Sequence, residues 1–283
     1  MENKRIELLK PKCDVVFQAL FSENKYNITQ SLISDILGEK VEIVDIKTDS
    51  TIARKYPNDK GGRLDLRTKF KDGTICQVEM QMTDDKDIVK RILYYWSRTY
   101  SKQLKMGEKY KDLKKTIGII ITNYEVEELK GIEDLDSKWQ IICDKNDKRI
   151  LTDDLELRII EIPKARKIIE KEKYNRIAQW LLFLDNPNTE RVEEIMKENE
   201  ELKKANSVLH EMSEDEELQR LAELREKWDL DERSALGHAK DEGIEEGQMK
   251  AKIEMAKKLK EKNIDTTVIV ETTGLTKEEI EKL

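Results

Sequence analysis

The sequence predicts an α/β fold with a mixed central sheet, extended at its C-terminal end by helices. Three observations carry this. Helical and strand periodicities alternate through the first 165 residues in the order α, β, β, β, α, β. The run "KKTIGIIIT" is apolar without interruption, as in a strand buried on both faces. From Thr189 to about Lys262 the chain is almost entirely built of helix formers.

The elements follow in order. "CDVVFQALFS" and "NITQSLISDILG" space their apolar residues as helices, with Asn27 or Thr29 available as a cap and Gly38 as a stop. "KVEIVDIKTDSTIA" places Val41, Ile43 and Ile46 as a strand would, and "GRLDLRTKF" and "TICQVEMQM" form a hairpin around "KDG". "DKDIVKRILYYWSRTYSKQLK" is an amphipathic helix whose apolar line passes through Val89, Leu93, Trp96, Tyr100 and Leu104. Further strands are expected at "KWQIICD" and "LELRIIEIP", closing the α/β part near Pro163. "YNRIAQWLLFLDNP" is a helix ended by Asn186-Pro187, and Leu202, Leu209, Leu218, Leu221, Leu224 and Trp228 are spaced for burial. Gly243 and Gly247 allow close helix approach, and Thr276 with Glu279 makes a capping box. The two short helices around "TTGL" resemble a helix-turn-helix, or serve equally as a pairing element. The organisation expected is residues 1–165 as the α/β domain, 166–262 as a helical extension and 263–283 as a small helical unit.

Charge is unevenly spread. The net charge is -7 over 283 residues, yet residues 190–233 alone hold 16 acidic against 8 basic side chains, so the N-terminal part is close to neutral. An acidic total therefore does not exclude a nucleic-acid partner, because the local field meets the phosphates. Cys13, Cys76 and Cys143 have no CxxC spacing, which argues against a zinc site or a disulfide framework and suggests reduced, mostly buried thiols. His210 and His238 sit alone in charged helices. Neither a signal peptide nor an apolar run of membrane-spanning length is present, so a cytoplasmic, membrane-free protein is expected.

The hairpin carries the chemistry. As a strand, "GTICQVEMQM" alternates Ile75, Gln77, Glu79 and Gln81 on one face with Cys76, Val78, Met80 and Met82 on the other. A three-residue loop Lys71-Asp72-Gly73, with Gly73 left-handed, sets Phe70 opposite Thr74 and hence Asp65 opposite Glu79. A two-residue Asp-Gly turn would shift the register by one. The first is preferred, because Leu64 and Leu66 then share the apolar face with Val78 and Met80. Two carboxylates facing each other across a strand pair repel. A divalent cation removes the conflict, and a few hard oxygens are what Mg²⁺ takes. Such an ion polarises a phosphoryl oxygen and lowers the pKa of a bound water, the chemistry of phosphodiester hydrolysis.

Asp65, followed by Glu79-x-Gln81 on the next strand in this element order, resembles the PD-(D/E)XK nuclease (restriction-endonuclease-like) core. The "KCDVVFQALF" start, the "VEMQ" strand and the "RILYYWSRTYSKQLKMGEKY" helix are similar to the bacterial recombination-promoting nuclease/transposase family. The resemblance implies a Mg²⁺-dependent (or Mn²⁺-dependent) DNA endonuclease linked to recombination or mobile elements. It makes Asp65 and Glu79 the metal ligands, puts Gln81 in place of the signature lysine, and makes Asp14 an accessory acid. Leu64 stands where the motif often has proline. Gln81 in place of lysine removes a cation that Arg91 or Lys12 would supply, and Gln18 adds none where the closer family has lysine. Lys12, Arg91 and Tyr95 are the DNA-contact candidates, and the helical C-terminal region is the candidate for homo-oligomerisation.

Plainer roles compete with these. Asp14 as a helix cap, Asp65 and Glu79 on an exposed sheet face, Gln81 as a surface amide and the α-helical aromatics as core are each compatible with the pattern. For the chain as a whole, the alternative is a catalytically inactive nuclease fold that binds DNA or regulates. A purely helical interaction protein explains only the second half.

Overall fold

The computed structural model describes residues 8–22, 25–48, 66–84, 86–145 and 148–283. Two short helices lead in, α1 (Asp14–Leu20) and α2 (Tyr26–Leu37). Gly38 ends α2 in the left-handed conformation, at φ 72°. The expected caps of α2 are corrected: Lys25 occupies the cap position, and Thr29 lies inside the helix, donating its hydroxyl to the Phe21 carbonyl at 3.1 Å.

β1 (Ile43–Lys47), β2 (Leu66–Phe70), β3 (Ile75–Gln81), β4 (Thr116–Thr122), β5 (Asp136–Trp139) and β6 (Leu155–Glu161) form one mixed sheet in the order β1-β2-β3-β4-β6-β5. β1, β2 and β3 form an antiparallel meander. β4 runs parallel to both β3 and β6, and β5 closes the edge antiparallel to β6. The crossover from β3 to β4 is made by α3 (Ile88–Ser101). All residues of β4 are buried, as a central parallel strand requires. This is the α/β fold with C-terminal helices that the element order predicts.

The two sheet faces have separate cores. On one, Leu66, Cys76, Val78, Met80, Ile117, Ile119, Ile121 and Ile160 pack with α1, α2 and the helices that follow the sheet: α4 (Ile162–Lys171), α5 (Arg176–Asp185), α6 (Glu190–Glu198) and α7 (Glu200–Ser213). Trp180 and Phe183 of α5 are fully buried there, and the Trp180 indole N–H donates to Asp35 at 2.8 Å. On the other face, Ile120, Leu155, Leu157 and Ile159 pack against Ile88 and Ile92 of α3. Gly118 allows that approach: a Cβ on it would lie 3.1 Å from Leu157 Cδ2 and 3.5 Å from Ile92 Cγ1.

β6 also carries a buried charge network facing the first core. Glu156 receives Lys115 and Arg158 at 2.8 Å each, and Arg158 reaches Asp136 and, at 3.0 Å, the Ile36 carbonyl at the end of α2. Burial alone would raise the Glu156 pKa, but the bonds from Lys115 and Arg158 outweigh it and hold the carboxyl below its usual range. For Asp136, burial wins over Arg158 and the pKa is raised.

The chain divides into two compact units, Met1–Glu223 and Leu224–Leu283. The boundary falls within α8 (Glu216–Glu261). In the second unit, Ala256, Ile269, Leu275 and Ile280 form a small core between α8, α9 (Thr266–Thr273) and α10 (Lys277–Glu281). The Thr276/Glu279 capping box is formed at α10. Of the leucine series expected to be buried, Leu202 and Leu209 are, whereas Leu224 and Trp228 are exposed. Cys76 is buried and Cys13 half-buried, but Cys143 is exposed, contrary to expectation. Among the described residues, no helix is long and apolar enough to cross a membrane.

Candidate active site

The hairpin adopts the three-residue loop. Gly73 has φ 94°, the Phe70 amide bonds the Thr74 carbonyl at 2.8 Å, and Leu66 pairs with Val78. Leu66 shares the apolar core with Val78 and Met80, as the preferred register requires. Asp65, the other predicted carboxylate, lies outside the described residues, as does Leu64.

The polar row of β3 is not on a solvated face. Gln77 and Glu79 are only 2% and 3% exposed, because α3 lies across them. Two side chains of α3 meet the row. Near its N-terminal end Arg91 donates its Nε–H to Glu79 Oε1 at 2.8 Å, and its Nη2 makes an ion pair with the same oxygen at 2.6 Å. Near its C-terminal end the Thr99 hydroxyl donates to Gln77 Oε1 at 2.7 Å. The row therefore supplies the polar partners that a helix over a sheet needs in order to bury such groups. Gln81, at the strand end, is half-buried and donates its amide to the Thr83 carbonyl at 3.2 Å.

The Arg91 guanidinium sits 5.2 Å from the Tyr95 ring centroid, within cation–π range. Burial raises the Tyr95 phenol above its ordinary pKa despite the nearby Arg91 charge. Tyr94 is exposed and meets Tyr95 edge-on at 5.5 Å. Trp96 and Tyr100 are structural: they stack at 5.0 Å, the indole N–H bonds the Thr116 carbonyl, and the Tyr100 hydroxyl bonds Asp154. Burial, then the Asp154 bond, pushes the Tyr100 phenol up to about 12.

The remaining candidates are placed elsewhere in the contact pattern. Asp14 occupies the first turn of α1, half-buried, its Oδ1 accepting from the Val15 amide at 2.7 Å; Cys13, not Asp14, is the cap residue. Lys12 is engaged by Asp185 at 2.8 Å, and Arg166 holds the other oxygen of Asp185 at 2.6 Å. Sequence reasoning missed the Gln77–Thr99 clamp. The signal for it was available, since Gln77 lies on the Glu79 face and Thr99 lies two turns along α3 from Arg91.

Among the described residues no three His, Cys, Asp or Glu side chains gather as a metal site. The row itself offers carboxylate and amide oxygens and no thiolate or imidazole, a donor chemistry that fits a hard cation such as Mg²⁺ or Mn²⁺.

A mixed sheet whose third strand carries a Glu-x-Gln with its Glu buried beneath the crossover helix, after two lead-in helices and an antiparallel meander, fits a PD-(D/E)XK nuclease-type core. A family model described as PD-(D/E)XK nuclease family transposase matches residues 11–239, and the chain belongs to that family. The family gives the chain a nuclease- or transposase-related role, with DNA as the implied substrate and divalent metal ions as the typical cofactor of such nucleases. Comparison with curated proteins and with solved structures gives no match.

Proposed function

We propose that this protein is a Mg²⁺- or Mn²⁺-dependent DNA endonuclease acting in recombination or on mobile elements. The observation that carries the proposal is Glu79, a carboxylate 3% exposed on β3 and held by Arg91. An ionised group is costly to bury, and the fold keeps this one beside a helix whose first turns carry the cation.

Glu79 and Asp65 would hold the metal. The support for Asp65 is the Leu66–Val78 pairing, since one further step in that register meets Glu79. When bound, the cation would polarise a phosphoryl oxygen and acidify a coordinated water. The chain's own residues do the rest. Gln81 would accept from the attacking water or donate to the scissile phosphate. Arg91 would supply the positive charge that Gln81 lacks, with Tyr95 supporting its guanidinium. Asp14 acts as an accessory acid in this scheme. Lys12, tied to Asp185, contributes to α1 placement more than to phosphate binding. Self-association through the helical C-terminal region completes the proposal.

The test is supercoiled plasmid incubated with Mg²⁺ and the full chain, its Asp65→Ala and Glu79→Ala variants, and a chelator control. Cleavage lost in both variants and in chelator supports the nuclease. DNA binding that persists in chelator, with no cleavage under any divalent metal, supports the inactive DNA-binding alternative, for which Gln81 is the favouring feature.

A further inference from the structure

Arg91 stands between two environments. On one side it grips buried Glu79, its Nε–H donating to Oε1 at 2.8 Å and its Nη2 lying 2.6 Å from the same oxygen. On the other it lines an open groove of about 410 Å³ with Asp87, Lys90, Tyr94 and Tyr95, and one third of its side chain is exposed. In that groove Lys90, paired with Asp87 at 2.7 Å but 85% exposed, adds a second cation that draws a polyanion toward Arg91.

Three charges then compete. A divalent cation approaching Glu79 is repelled by the guanidinium already on its Oε1. A backbone phosphate entering the groove attracts that same guanidinium, and a phosphate matches its fork with two parallel hydrogen bonds. The Tyr95 ring, 5.2 Å from the guanidinium carbon, gives the planar group a face to move along.

We propose that Arg91 is a displaceable internal counter-ion. It holds Glu79 while no nucleic acid is bound and transfers to a DNA phosphate in the groove, so that DNA and the divalent cation bind cooperatively. This rests on the reading that Glu79 is a metal ligand. By linkage the coupling is reciprocal: DNA tightens metal binding by the factor with which metal tightens DNA binding. The metal site is thus weak until substrate arrives, which limits idle loading of the nuclease.

The experiment is a Mn²⁺ titration of the full chain, read from the electron paramagnetic resonance signal of free aqua Mn²⁺. It is run with and without a phosphorothioate duplex that resists hydrolysis, against a duplex-only blank. Wild type, R91Q, R91K and E79Q are compared after thermal melts show each to be folded. Without DNA, R91Q should bind Mn²⁺ about tenfold more tightly than wild type. Duplex should tighten wild type by about the same factor and leave R91Q unchanged, while R91K, which keeps the charge, should still respond. If R91Q binds no more tightly than wild type, or responds to duplex as wild type does, while E79Q has lost the site, the counter-ion proposal is overturned and the metal-ligand reading stands. If E79Q binds Mn²⁺ as wild type does, both fall.

Discussion

Gly118 lies where the crossover helix packs on the sheet beside Gln77, and its replacement measures how tightly the candidate site is held. A Cβ at this position would lie 3.1 Å from Leu157 Cδ2, 3.5 Å from Ile92 Cγ1 and 3.6 Å from Gln77 Nε2. The last two distances are ordinary contacts, and the first asks one leucine methyl to yield by a few tenths of an ångström. Alanine therefore fits with little strain, and it removes the entropic cost of about 0.5–1 kcal/mol that glycine carries inside a strand. Gly118→Ala should change stability by no more than about 1 kcal/mol. Valine is different. Its two methyls must enter a space already closed by Ile92, Leu157 and Gln77, all buried. Overpacking of this kind costs about 1–3 kcal/mol. In a unit of this size each kcal/mol moves the melting temperature by about 2–4 °C, so Gly118→Val should melt about 2–12 °C lower. Thermal melts by circular dichroism, with urea midpoints as a second measure, give both values. A valine variant as stable as wild type would refute the close approach of α3 to β4, and with it the burial of Glu79 beneath that helix.

Other outcomes follow from named contacts. Trp180→Ala should cost about 3–5 kcal/mol, since it opens a large cavity and leaves half-buried Asp35 without its indole donor, whereas Trp180→Phe should cost about 1–2 kcal/mol for the lost bond; urea unfolding separates them. Asp185, although burial pushes its pKa up, is held below the ordinary carboxylate range by Lys12 and Arg166. Its ion pairs therefore stabilise the fold above the unfolded pKa and are lost as pH falls through the lower folded value. Asp185→Asn should lower stability by about 1 kcal/mol at pH 7 and flatten the acid limb of the stability profile below about pH 4. Thr276→Ala removes the α10 cap and should destabilise that helix by about 1 kcal/mol, seen as faster amide exchange at residues 277–281.

The sequence made the hairpin legible because its register has a local cause. Gly73 fixes the loop, and Leu66, Val78 and Met80 must share a face, so the position of Glu79 follows without knowledge of the rest of the fold. The row's polar character was legible too, but its burial was not. That depends on α3 crossing β3, and on Arg91 and Thr99 meeting residues twelve and twenty-two positions earlier. The caps of α2 were misassigned because Thr29 bonds backward to Phe21 across the turn between the two helices, a contact that no local pattern encodes. The engagement of Lys12, a DNA-contact candidate in the sequence, is hidden for the same reason: its partner Asp185 is 173 residues away. The Glu156–Arg158 network joins Lys115 at the start of β4 to β5, β6 and the end of α2, so it exists only once the sheet is assembled.

The most direct test of the account is the Mg²⁺-dependent cleavage rate of supercoiled plasmid by Glu79→Gln, an isosteric change that keeps the volume and removes the charge. The control is Glu193→Gln, on an exposed position of α6. Glu79→Gln should lose cleavage by at least about a hundredfold, while Glu193→Gln retains the wild-type rate. Wild-type cleavage by folded Glu79→Gln would place the chemistry elsewhere in the chain and contradict the central role of this carboxylate.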